Sequence, residues 1–217
     1  MKRQNSPTNS TSRAPWHLAL TLLLLAPSLV AQTPAPPAAP ANNAELTQIY
    51  NEDQRVRQPK PLTPEENAAI TRTDADRLAA VKQMIANDLL QATADYRHAA
   101  FIVQHSLVSS DYLLAHSLAV ICAADGDKTC AWLSAATLDR YLQSIKQPQI
   151  YGTQFFGSGH APITQQPYAD DLIPDPLRKK LGVPSRAEQK TQLDKMNSQA
   201  TPSFPGVAPQ YQPASPK

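Results

Sequence analysis

Four short stretches hold the residue types that perform proton transfer or polar recognition: Asp53-Gln54, Gln104-His105, Asp139-Arg140 and Tyr151-Gly152-Thr153-Gln154. Histidine exchanges protons near neutral pH, and a carboxylate beside it fixes its orientation. Arginine presents a planar fork to anions, while the Tyr151 phenol and the Gln104 and Gln154 amides form directional hydrogen bonds. Gly152 permits a sharp turn or a close backbone approach. Read as an enzyme, the chain would use His105, Asp139 and Arg140 in general acid–base chemistry. Read as a binding protein, it would line a polar pocket with Asp53, Gln54, Gln104, Tyr151, Gly152 and Gln154. A structural envelope protein would need no such cluster, and the same residues would then be a satisfied network pinning a loop to the helices.

Asp53 stands out by position. Leu46, Ile49 and Tyr50 form an apolar stripe that continues to Asp53, Val56 and Arg57, so a carboxylate occupies a place facing the core. Such a charge needs a partner: an ion pair with Arg57 or Arg140, a histidine to orient, or a polar ligand. His98 and His105 share a face but are separated by about 10 Å along the axis, too far for one metal ion. His116 belongs to the next helix. No histidine–glutamate metal motif, nucleophile elbow or phosphate-cradling glycine loop is present, and the turn "ADGDK" lacks the ligand pattern of a calcium loop. Neither a metal nor another cofactor is expected.

Proline placement delimits the elements that must position these residues. None of the 21 prolines lies between Glu65 and Gln147, and that window contains Gly126 as its single glycine. A first helix follows Asn43 and stops before Pro59. "TPEE" at Thr63 supplies a capping box with proline at the first helical position, and Thr73 reads as a second capped start. Three helices are predicted over about Asp95–Leu107, Asp111–Ala124 and Thr129–Lys146, with Asp111 as a cap and Gly126 closing the second. Short turns make these neighbours antiparallel and bring the ends of the first and third together, so "PQIYGTQF" passes over the His105 end. Cys122 and Cys130 fall at adjoining helix ends and read either as a disulfide or as two buried thiols. The fold class is mainly α: one antiparallel helical bundle or hairpin stack with a loop-rich C-terminal cap and disordered tails.

The flanks complete the organisation. Residues 1–31 read as an export signal, with Lys2, Arg3 and Arg13 ahead of the apolar run "LALTLLLLAPSLVA". Residues 32–43 form a Pro/Ala-rich linker, 44–184 the helical domain, and 185–217 a polar helix with a disordered Pro-rich tail. Removing the signal takes three of the 20 basic residues and none of the 18 acidic ones, leaving a net charge near −1. That balance excludes the basic footprint of a nucleic-acid binder. The expected setting is periplasmic or secreted, without stable membrane insertion after signal removal, and the partner is a small molecule or an envelope protein.

The segments "NEDQRVR", "DYRHAAFIVQHS", "DYLLAHSLAV", "AATLDRYLQSIKQPQIYGTQF" and "LRKKLGVP" together resemble domain-of-unknown-function family 6624, an uncharacterised bacterial family, in its exported variant. The likeness runs from about Glu45 to Pro184 and is carried by Asp53-Gln54 with Arg55 or Arg57, Gln104-His105, Asp139-Arg140 and Tyr151–Gln154. The chain lacks the Gly-Trp-Pro segment that many members carry before the Gln-His helix. The resemblance implies a helical fold and brings no activity with it.

Overall fold

A computed structural model describes residues 40–57, 63–157 and 161–199. The expected export signal and C-terminal tail lie outside them, as does most of the linker. Seven helices are described: α1 (Ala44–Val56), α2 (Pro64–Ala86), α3 (Thr93–Val103), α4 (Ser109–Ala124), α5 (Lys128–Ser144), α6 (Asp175–Lys180) and α7 (Arg186–Gln199). Among these residues there is no β-strand, only isolated bridges between Gln149 and Tyr168 and between Phe156 and Thr164. The mainly helical fold is as the sequence predicts.

Cross-helix contacts define the directions. In α4 and α5, His116 Nδ1 meets the Ser134 carbonyl at 2.9 Å and Cys122 is bonded to Cys130, so the two run antiparallel. Thr93 bonds Asp125 and Ser106 bonds Asp111, which makes α3 and α4 antiparallel as well. Helix α1 runs alongside α3 in the same sense: the Asn43 amide donates to Asp95, Tyr50 stacks on His98, and Asp53 faces His105. The contacts of Arg57 with Asp74 and of Asn43 with Leu89 place α2 antiparallel to α1. Asp53, His105 and the end of α5 therefore meet at one end, opposite the disulfide.

Leu46, Val81, Ile102, Val103, Ala115, Ala119, Leu133 and Ala136 fill the core, with Val183 packed in from beyond α6. Many of these residues are alanines, which let the α3–α4–α5 axes come close. Close approach also resolves the cysteine geometry: the two Cα atoms are 5.8 Å apart, inside the bonding range. Asn43 and Thr63 cap α1 and α2, the latter in a complete capping box, and Gly126 takes a positive φ of 97° after α4.

Two local expectations are corrected. Thr73 does not start a helix; α2 runs through it, and its hydroxyl donates to the Ala69 carbonyl one turn back, a back-bond open to a mid-helix threonine. Asp111 is not the cap of α4, for Val108 holds that place. The carboxylate lies within the first turn, where it accepts from Ser106 Oγ and pairs with Lys82 Nζ at 2.6 Å, tying α4 to α2.

The disulfide closes a short loop between residues eight apart, and loop-entropy arguments assign such a link about 2 to 3 kcal/mol. Replacing both cysteines by alanine is expected to lower the unfolding free energy by about that amount, as measured by denaturant titration.

Candidate functional site

The α1 stripe delivers Asp53 into the interior, where the residue is fully buried. Its Oδ1 accepts from Arg57 Nε at 3.0 Å, one helical turn on, and its Oδ2 accepts from Gln54 Nε2 at 2.8 Å. Arg57 reaches on to Asp74 Oδ1 at 2.6 Å, and Arg77 shares that oxygen at 3.1 Å while lying 4.0 Å from Asp53. A chain of alternating charge thus joins α1 to α2. His105, just past the end of α3, brings Nε2 to 3.4 Å from Asp53 Oδ2, with only 6 % of its side chain exposed. That separation falls short of a formed hydrogen bond, and Nε2 is buried without a partner.

Burial pushes the Asp53 carboxyl up, but the nearby His105 ring and the hydrogen bond and charge of Arg57 outweigh it and hold its pKa at about 2. Burial is also the largest influence on His105 and lowers its pKa; Asp53 opposes this, while Arg57 and Arg140 both disfavour protonation. The ionised Asp53 pairs its charge with Arg57 at 2.9 Å.

Arg140 on α5 joins this set through its charge but not through a counter-ion. Its Nε is buried without a hydrogen-bond partner. Burial lowers its pKa; among the described residues Tyr112 offers support and Arg57 repulsion. Gln104 caps the end of α3 and is buried beside His105 in the chain.

The adjacent residue, Asp139, serves a different network. Also fully buried, it accepts the backbone amides of Ile150, Tyr151 and Thr153 at 2.8, 3.0 and 2.9 Å and the Thr153 hydroxyl at 2.7 Å. Burial pushes its carboxyl up against these four donors. The loop carbonyls are taken too: Arg178 Nη2 and Gln189 Nε2 donate to Tyr151 O at 2.6 and 2.8 Å, and Gln165 and Gln189 donate to Gly152 O. Gly152 has φ +66°, and a Cβ there would come within 2.6 Å of Gln189 Oε1 and Tyr168 Cζ. Its glycine serves backbone geometry and close packing. Gln154 Nε2 donates to Ala136 O at 3.2 Å, and Gln149, fully buried, accepts from the Gln154 amide at 3.0 Å.

The nine site residues expected from the sequence therefore divide. Asp139, Tyr151, Gly152 and Gln154 hold the loop; Asp53, with Gln54 bonded to it, lies beside His105, whose protonation Arg140 disfavours, and Gln104 is buried next to His105 in the chain. Consecutive residues on α5 point about 100° apart, which sends Asp139 and Arg140 to different neighbours. The structure adds Asp74 and Arg77 to the charged cluster and Gln149, Gln165, Arg178 and Gln189 to the loop clasp. The Asp74–Arg77 spacing of three was the available signal for the first pair. Nothing local marks the others.

The other two histidines among the described residues make contacts within the bundle. His98 stacks on Tyr50 with ring centroids 4.2 Å apart, and burial, then Arg97, holds its pKa down at about 4. His116 Nδ1 faces a carbonyl, so that nitrogen carries the proton. Cys122, Asp127 and Cys130 are the one group with metal-ligand proximity among the described residues, and the disulfide removes both sulfurs as thiolate ligands. Among the described residues, no helix is long and apolar enough to cross a membrane.

No family model, curated protein or solved structure matches the chain.

Two outcomes test this geometry. A depressed carboxyl pKa stabilises the fold above the unfolded value near 4 and loses that contribution as pH falls toward 2; for Asp53 it is on the order of 2 kcal/mol. Asp53→Asn should remove this part of the acid dependence, so the wild-type minus variant difference in unfolding free energy shrinks between pH 5 and pH 2. Asp139→Ala should strip protection from the Ile150, Tyr151 and Thr153 amides in hydrogen exchange while leaving α3 amides protected.

Proposed function

We propose that this chain is a ligand-binding helical domain whose polar site is centred on His105, with Asp53, Gln54, Gln104 and Arg140 around it. The supporting observation is that, of the six buried side-chain nitrogens without a hydrogen-bond partner among the described residues, three, Arg77 Nε, His105 Nε2 and Arg140 Nε, belong to the charged cluster around Asp53, whose own oxygens accept from Arg57 and Gln54. Native proteins leave few buried polar groups unmet, and those few mark places where another molecule completes the set. In this reading Asp139, Tyr151, Gly152 and Gln154 build the wall of the site and do not themselves contact the ligand.

A catalytic reading has one observation in its favour, the approach of His105 to an ionised carboxylate. Burial weighs against it. A general base must accept a proton, and burial, with Arg57 and Arg140, opposes that at His105, while Asp53 favours it.

The proposed setting is periplasmic or extracellular. Both cysteines are fully buried and joined, a state that persists in oxidising compartments. A structural envelope role and membership of domain-of-unknown-function family 6624 are compatible with this placement, and neither assigns a ligand.

Native mass spectrometry of exported protein, purified without dialysis, is the direct test. Wild type should carry a small-molecule adduct, and His105→Gln should retain it at reduced occupancy with stability within about 1 kcal/mol of wild type. Absence of any adduct, together with a stability loss in His105→Gln as large as that of Asp53→Asn, would assign His105 to the structural network.

A further inference from the structure

The unpaired groups also specify the kind of ligand, an inference that rests on the site just proposed. Every buried side-chain polar atom without a partner among the described residues is a nitrogen: Arg77 Nε, His98 Nδ1, His105 Nε2, Arg140 Nε, Gln143 Nε2 and Arg178 Nη1. The guanidinium nitrogens can only donate. A surplus of donors asks for an acceptor.

Charge points the same way. Among the described residues the carboxylates of Asp53 and Asp74 pair with the guanidinium groups of Arg57 and Arg77, while Arg140 acts on His105 and is repelled by Arg57, two negative charges against three positive. Arg57 pairs with both carboxylates and Arg77 with Asp74, which leaves Arg140 as the cation in excess. Arg140 is partly exposed, with its Nε buried and unpaired, so its fork has no carboxylate partner among the described residues and remains open to an anion from solvent. The same face of α5 carries Gln143 one turn further on. Gln143 lines a shallow cleft of about 380 Å³ together with Lys146, Gln147, Phe156 and Pro167, adding a second cation on this side of the helix.

We propose that Arg140 anchors an oxyanion group, a carboxylate or a phosphate, of a small ligand that enters from the Gln143 side of α5 and accepts a hydrogen bond from His105. The arginine fork matches either group in two parallel hydrogen bonds. The His105 ring, beside Asp53 at this end of the bundle, would add a further hydrogen bond.

The experiment uses inorganic phosphate, succinate and the uncharged analogue succinamide, each titrated into wild type and Arg140→Gln at matched ionic strength. Thermal unfolding and the His105 ring proton in NMR are both followed. Wild type should melt higher with phosphate or with succinate, the responding anion naming the group, and its His105 signal should move. Arg140→Gln should weaken that response about tenfold or more, the loss expected when hydrogen bonds to a charged group are removed. It should also unfold no earlier than wild type, because it gives up no counter-ion. Equal response to succinamide and succinate would overturn the anion inference while leaving a polar site in place. An undiminished response in Arg140→Gln, a variant that unfolds much earlier than wild type, or no response of wild type to either anion would each overturn it as well, with the adduct experiment above judging the site itself.

Discussion

A carboxylate with no exposed surface must be supplied with donors or it unfolds its surroundings, and this bundle contains three: Asp53, Asp95 and Asp139. Each meets the requirement by drawing in a separate segment. Asp95, in the first turn of α3, accepts the amides of Asn43, Gln91 and Ala92 and so ties the start of α1 to the start of α3. Asp53 recruits Arg57 and, through Asp74, the α2 helix. Asp139 gathers the loop after α5 onto the bundle. The apolar core supplies the driving force, while these carboxylates determine which segments lie next to one another.

The loop clasp has a direct consequence for function. Backbone amides and carbonyls of residues 150–153 make attractive contacts for a ligand only if they are free, and here Asp139, Arg178, Gln165 and Gln189 occupy them. A loop saturated in this way offers a ligand few free backbone groups, which in the proposed reading leaves recognition to side chains that project elsewhere. Gly152 belongs to this construction, since the space a side chain would need is filled by Tyr168 and Gln189. Helix α7 is part of it too: Gln189, 2 % exposed, ties that helix to the loop across 37 and 38 residues of sequence.

Asp139 and Arg140 illustrate how one helical step separates structure from function. The carboxylate has four donors and holds chain; the guanidinium next to it has an unpaired nitrogen and a repelling neighbour in Arg57. A group kept buried without a partner carries a cost that a bound molecule can offset.

Much of this arrangement is written locally. Helix starts follow from Asn43 and Thr63, the break after α4 from Gly126, and the disulfide from two cysteines at the ends of adjoining helices, because capping and short-turn geometry act over a few residues. The Asp53–Arg57 pair is likewise an i,i+4 contact, and the place of Asp53 on the apolar stripe marks its burial. What the tertiary structure decided are the partnerships across long stretches of sequence. Arg178 sits in a run, "RKK", that reads as a solvated basic patch, yet it is fully buried under the carbonyls of Tyr151 and Pro184. Gln149 has no local pattern to distinguish it from the exposed Gln147 two residues earlier. Asp139 and Arg140 look like one motif in the sequence and part company only when the loop closes on Asp139 and leaves Arg140 Nε unpaired. Side-chain type sets what bonds a residue can make; the packing of segments distant in sequence selects which of them it does make.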